Sequence, residues 1–274
     1  MAPIIQTVVF GSCLSRFIAL DLSRRYSATI LNNIYHISSE QFVKYYIQQK
    51  IPQIPREYLE SFLVPSSEPQ KALYAEGMID NQYPETMGLW EFEPSEKPFK
   101  KPFLVNLEGG EIDLFLLDNF ADLSGRPQYI VDDPRYLESP IQIVSHFYQN
   151  IGEISGNMRM GEYISPEDSA EYWSTIITFL SEKVPYSTIV FNCFFSSTSI
   201  ENEARKIRAN EFFNRISLRT FSRNVHIVPP VSVPKYLMNL NDWTHVDVGI
   251  YAALAGEAYL KYISDRARLE MVVD

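Results

Sequence analysis

The chain has 274 residues, 46% of them hydrophobic, and a net charge of −10 at neutral pH. That length carries one large domain or two small ones, and that apolar content fills a substantial core. The acidic balance argues against a nucleic-acid binder, which needs a basic face, and offers no electrostatic attachment to an anionic membrane.

In chain order, the apolar run Ile4 to Phe10 reads as a short buried strand. Gly11-Ser12 breaks it, and an amphipathic segment from Leu14 to Tyr26 reads as a helix. Ala28 to Asn32 is the second predicted strand. After the loop Tyr35 to Ser39, Ser38 or Ser39 is placed to cap a helix over Glu40–Gln49, stopped by Pro52 and Pro55. The pattern then becomes irregular to about Gly110. It offers helical pieces near Arg56–Phe62 and Gln70–Asn81, then a long loop rich in proline and aromatics such as Trp90, Phe92, Phe99 and Phe103. That composition suggests an ordered insertion over one rim of the sheet, where it can shape a pocket.

Glu111 to Asn119 is the third predicted strand, with polar residues at its carboxyl end. Gln128–Val131 is a short strand or part of an excursion that includes a helix over about Ser139–Tyr148. Ser165 caps a helix from Pro166 to about Lys183, with Asp168 as a weak capping-box partner. Ser187–Asn192 is the fourth strand, Glu201–Phe221 a long amphipathic helix, and Val225–Val228 the fifth strand, ended by Pro229-Pro230. Asn241 to His245 reads as a polar loop, and the last helix as about Val246–Ile263 with a charged tail.

Strands alternating with helices imply a parallel sheet covered on both faces, with ligands collecting at the carboxyl ends of the strands. Ser12, Asp118, Asn119, Asn192 and Cys193 all fall at those ends. No apolar run is long enough to span a membrane. The start Met1-Ala2-Pro3-Ile4 shows no basic region or cleavage-like site, so a cytoplasmic protein is expected. Cys13 and Cys193 are too few for a disulfide framework, and no Cys/His cluster has the spacing of a zinc site, so no metal is expected.

Two stretches carry chemistry. A strand that ends in Gly11-Ser12 and feeds a helix leaves the Ser12 hydroxyl at the sheet edge, facing solvent, beside the N–H groups of the helix start. Those donors suit the oxyanion formed when a serine attacks an acyl carbon. The competing role for Ser12 is a plain helix cap. Asp242 stands three residues before His245, where it can hold the imidazole so that the free nitrogen takes a serine proton. The competing role for Asp242 is a cap on the last helix. His36 is the rival base, while His146 sits in a predicted helix and His226 in a predicted strand. Cys13 is the rival nucleophile, although one step into the turn it is expected to point into the core. Arg16 lies one turn beyond Ser12, and with Asp118 it can form a buried pair under the site.

A serine after the first strand, with Asp-x-x-His before the final helix, resembles the SGNH (GDSL-like) hydrolases over nearly the whole chain. More closely, Phe10-Gly11-Ser12-Cys13-Leu14-Ser15-Arg16 and Leu114-Phe115-Leu116-Leu117-Asp118 are similar to an uncharacterised bacterial SGNH-like family linked to surface-polysaccharide genes. The resemblance implies a single three-layer α/β/α, flavodoxin-like domain over residues 1–274, with an insertion at about 52–110 that the minimal fold lacks. It implies ester hydrolysis or acyl transfer, often at sugar O-acetyl groups, without metal or cofactor. A transferase would need an acyl donor such as acetyl-CoA, and the absence of an export signal would fit action on a polysaccharide precursor. Carried over, Ser12 is the nucleophile, His245 the base and Asp242 its orienter. The oxyanion donors are the Ser12 N–H and Asn119. The chain departs from the superfamily in three places. Phe10-Gly11 precede the serine where Gly-Asp is usual, Asn32 and Asn33 stand where the oxyanion glycine is usual, and Gly-x-Asn-Asp is absent. A protein that keeps this fold only to bind is the alternative.

Overall fold

The computed structural model describes residues 4–89, 101–144, 147–149, 156–194, 196–197, 203–239 and 242–273. Five strands form the central sheet: β1 (Ile5–Gly11), β2 (Ala28–Tyr35), β3 (Leu114–Asp118), β4 (Thr188–Asn192) and β5 (Val225–Val228). They pair in parallel in the spatial order β2-β1-β3-β4-β5, with helices on both faces. This is a flavodoxin-like α/β layout.

The strands are short apolar runs because both faces are covered. Ile5, Val9, Leu114, Leu116 and Val190 face one core, packed under α1 (Cys13–Tyr26) and the last helix. Their strand neighbours Val8, Phe10, Phe115, Leu117, Ile189 and Phe191 face the other. In α1 the buried residues Leu14, Ile18, Ala19 and Leu22 recur at helical spacing, and Ser27 ends the helix in the left-handed region at φ 55°.

Along the chain α2 (Ser39–Phe42) runs on into a π-helical turn over Val43–Ile47, where one continuous helix was expected. Then come α3 (Arg56–Phe62), α4 (Pro69–Asp80), α5 (Phe103–Gly109) and α6 (Phe120–Ser124). The α7 helix (Pro166–Lys183) starts from Ser165, whose hydroxyl accepts the Asp168 N–H at 3.0 Å. Helix α8 (Glu203–Ile216) packs beside α7, and α9 (Val248–Val273) closes the chain against α1. No described helix is long and apolar enough to cross a membrane.

Several expectations are corrected. Strand β2 continues three residues past Asn32, to Tyr35. Helix α5 was not foreseen, because Pro102 at its start looks like loop until one counts it as a helix entry. The helix expected over 139–148 is absent from the described residues there. Pro140–Ile141 is instead a strand, pairing antiparallel with Gln128–Ile130, which also pairs with Met158–Met160. Pro140 and the β-branched Ile141, Ile143 and Val144 favour extension over helix. His146, Trp90, Phe92 and Phe99 lie outside the described residues. Around this small sheet Ile54, Leu59, Ala75, Ile79 and Tyr83 from the 52–110 stretch form a core of their own with Ile130, Tyr136 and Ile141.

The expected polar loop before the last helix is also a strand, β6 (Asp242–Val246), antiparallel to Met238–Asn239. Trp243, Thr244 and Val246 are good strand formers, and they outweigh the polar residues among them. The last helix begins two residues later than expected and runs ten further, to Val273, because Leu269, Met271 and the charged residues around them are good helix formers.

Candidate active site

The site is built from the carboxyl ends of β1, β2 and β3. Parallel register sets Phe10 beside Leu117, so Asp118 arrives next to Gly11 and Ser12. Asp118 is fully buried. Its Oδ2 accepts the Ser12 N–H at 2.8 Å, the Ser12 hydroxyl at 3.0 Å and the Ser15 N–H at 3.1 Å, while Oδ1 accepts the Phe120 N–H at 3.0 Å. Burial pushes this carboxyl above its ordinary range, against the pull of the Ser12 and Phe120 N–H groups. These bonds hold the carboxylate in the first turn of α1, whose N-terminus favours negative charge.

Gly11 explains the tight approach. A Cβ there would sit 2.4 Å from Asp118 Oδ2 and 2.6 Å from its Cγ. Ser12 is the N-cap of α1, and its hydroxyl accepts the Leu14 N–H at 3.1 Å. It is only 3% exposed, so the solvent-facing turn expected from sequence is in fact a buried one. The Ser12 N–H, assigned to the oxyanion from sequence, here donates to Asp118.

Ser12 lines a cavity of about 510 Å³ together with His245, His36, Cys13 and Arg16. His245 belongs to β6, half-buried, with its ring edge-on to Phe17 at 5.7 Å between centroids. Thus the serine and the histidine, 233 positions apart (245 − 12), meet at one cavity. The hydroxyl of Ser12 donates to Asp118 rather than to His245. Asp242 pairs with Asn239 at the start of β6, and its side chain lies outside the described part. The cap of α9 is Asp247, whose Oδ1 accepts the Gly249 N–H at 2.8 Å, so the helix-capping role considered for Asp242 belongs to another residue.

His36, the rival base, also faces the cavity. It holds a left-handed backbone at φ 53°, donates its N–H to Gly11 O at 3.3 Å, and stands edge-on to Tyr35 at 3.8 Å. A non-glycine residue in that region is uncommon, though histidine is among those that tolerate it. Cys13 does not point into the core as expected. It lines the cavity, with its sulfur 3.3 Å from the Tyr35 hydroxyl. Burial first, then the neighbouring thiol, holds that tyrosine well above its ordinary range. Cys193 is buried, and burial pushes its thiol up, which suits an inert side chain.

Asn119 starts α6. Its Oδ1 accepts the Phe194 N–H at 2.9 Å, and its fully buried Nδ2 has no hydrogen-bond partner. Asn192 Nδ2 is likewise buried and unpaired at the end of β4. Asn32 is committed elsewhere, donating to Lys101 O at 2.9 Å and accepting from Asn106 at 2.6 Å.

The walls of the cavity are aromatic and come from segments far apart in the chain. Phe17, Tyr35, Phe120 and Phe194 come from elements beside Ser12, whereas Tyr74 comes from α4 and Phe147 from the segment after the small sheet. Tyr74 and Phe147 stack at 5.2 Å. The aromatic richness of the 52–110 stretch hinted at Tyr74 alone. Beneath the site lies Asp122, which sequence reasoning does not single out. It accepts the Ser39 N–H at 2.9 Å, the Ser39 and Ser169 hydroxyls at 2.5 Å each, and Trp173 Nε1 at 3.0 Å, tying α2, α6 and α7 together.

No protein-family model and no curated protein matches the chain. Among solved structures, it is similar to a family two carbohydrate esterase from Cellvibrio japonicus, at TM-score 0.41 and 10% identity over 98% of this chain and 64% of that one. An acetyl xylan esterase from the rumen bacterium Butyrivibrio proteoclasticus gives TM-score 0.40 and 9% identity, over 98% and 66%. A family two carbohydrate esterase from Clostridium thermocellum, solved with cellohexaose, gives 0.42 and 10%, over 98% and 66%. The chain thus spans just under two thirds of the length of these esterases.

Proposed function

We propose that this protein carries out serine-dependent acyl-ester chemistry, as an esterase or an O-acyltransferase. The observation that carries the reading is that Ser12, at the start of a 14-residue helix, and His245 line one cavity at the carboxyl edge of a parallel sheet. In the reaction, Ser12 Oγ turns from Asp118 toward His245 and attacks the acyl carbon while its proton passes to the imidazole. The alcohol leaves with that proton. Water, or a sugar hydroxyl, then attacks the acyl-serine and gives its proton to His245, which returns it to Ser12 Oγ as the acyl product leaves. Asp242 orients His245. The unpaired amide of Asn119 is the donor we assign to the oxyanion. Carbohydrate as the acyl carrier, a polysaccharide precursor in the cytoplasm in particular, follows from the resemblance of the Phe10–Arg16 and Leu114–Asp118 stretches.

One observation favours a second reading, a binding protein that keeps the fold: the Ser12 hydroxyl hydrogen is given to Asp118, not to a base. A fluorophosphonate probe separates the two. An enzyme is labelled at Ser12, and the label persists in Cys13→Ala. An unlabelled protein refutes serine catalysis, and a label on Cys13 transfers the nucleophile's role to the thiol.

A further inference from the structure

The described lining of the cavity carries one permanent charge, that of Arg16. The protein carries −10, yet among the described residues no carboxylate lines the cavity, while Arg16, His36 and His245 do. Arg16 is the decisive group. It is only 8% exposed, and its positive charge also acts on the Tyr35 hydroxyl across the cavity. Arginine recognises carboxylates through a planar, bidentate guanidinium. Its planar fork has five donors, enough to keep a protein partner and still grip a carboxylate. Asp118 would oppose an anion, but it does not line the cavity, and its oxygens are taken up by Ser12, Ser15 and Phe120. The remaining wall is largely aromatic, which suits a flat or ring-shaped body.

We infer that the ester taken by this cavity carries a carboxylate, gripped by Arg16, beside a ring that packs on the aromatic wall. Arg16 is then a specificity-determining residue. The inference rests on reading the cavity as an acyl-ester site, so the test has one arm that needs turnover and one that does not. In the first, wild-type protein is given 4-acetoxybenzoate and its methyl ester, which present the same acetyl ester with and without a negative charge. The kcat/KM ratio should favour the anion by about tenfold or more, as expected for a charge-assisted bond in a desolvated pocket. The ratio should collapse in Arg16→Gln and be partly restored in Arg16→Lys. In the second arm, saturation-transfer NMR compares benzoate with benzamide as plain ligands of the wild-type protein, and benzoate should be preferred. Benzoate preference without turnover of either ester upholds the anion site and removes the esterase reading. Turnover with no charge preference in either arm overturns the anion site and leaves the esterase reading standing. Binding of neither ligand together with equal or absent turnover also overturns it. Because the wild-type preference is itself the readout, a poorly folding Arg16 variant does not obscure the result.

Discussion

Replacing Gly11 by alanine adds one methyl where there is no room for it. The Gly11 backbone is not in the left-handed region, so the demand for glycine is one of space. The new Cβ would stand 2.4 Å from Asp118 Oδ2, 2.6 Å from its Cγ and 3.0 Å from its backbone nitrogen. Ordinary carbon contacts begin near 3.5 Å, so the carboxylate must retreat by about 1 Å. That retreat stretches the bonds from Ser12 N, Ser12 Oγ and Ser15 N, all of which converge on Oδ2. Bonds to a charged group contribute about 1.5–3 kcal/mol each, and a close-packed core resists an added methyl by about 1–3 kcal/mol. Loss of one such bond plus the packing strain gives a cost of about 3–5 kcal/mol, or a fall in Tm of roughly 10 °C for a chain of this size. Urea titration followed by circular dichroism measures it directly. A double-mutant cycle isolates the cause: in an Asp118→Ala background the Gly11→Ala cost should fall by about half or more, because the two closest contacts are gone and only the 3.0 Å approach to the backbone nitrogen remains. A Gly11→Ala protein as stable as wild type, or an equal cost with and without Asp118, would refute the contact as the reason for glycine here.

Ser12→Ala should abolish probe labelling and also lower stability by about 1–2 kcal/mol, since the hydroxyl caps Leu14 and bonds Asp118; a rate loss with no stability change would contradict the buried cap. His245→Ala should cost nearly as much activity as Ser12→Ala, with the double variant little worse, and kcat/KM should fall as acid protonates the imidazole; an active His245→Ala enzyme moves the base to His36. Asn119→Ala should lower kcat by roughly 10²-fold and leave the Phe194 N–H without its acceptor, so kinetics and melting are both read, and an unchanged kcat points instead to the unpaired amide of Asn192. Burial holds the Asp122 carboxyl above its ordinary value, against the donors from Ser169 and Ser39. The folded state therefore keeps that proton to higher pH than the unfolded chain does, and the resulting stabilisation is lost as pH rises from about 4 upward. The stability of wild type relative to Asp122→Asn should shrink over that range, and a difference that grows instead would reverse the sign of the shift.

What the sequence determined by itself was written over neighbouring residues. The apolar runs Val8–Phe10 and Leu114–Leu117 imply strands buried on both faces, and the helical spacing of Leu14, Ile18 and Leu22 implies a helix after Gly11-Ser12. From these came the parallel sheet, its wrapped layers and the placing of Ser12 at the carboxyl edge. The short elements were less legible. Pro140–Ile141 and Asp242–Val246 are strands because a partner lies alongside, and pairing is a property of two segments at once. The same holds for the site. That Asp118, and not a base, receives the Ser12 hydroxyl depends on the register of β1 on β3, across 106 positions of chain. That Cys13 faces a cavity rather than the core depends on where Tyr35 and Tyr74 come to rest around it. Periodicity and capping act over a turn or two of chain, so they can be read locally. Which side chains share a cavity is decided by close packing among distant segments, and only the tertiary structure holds that information.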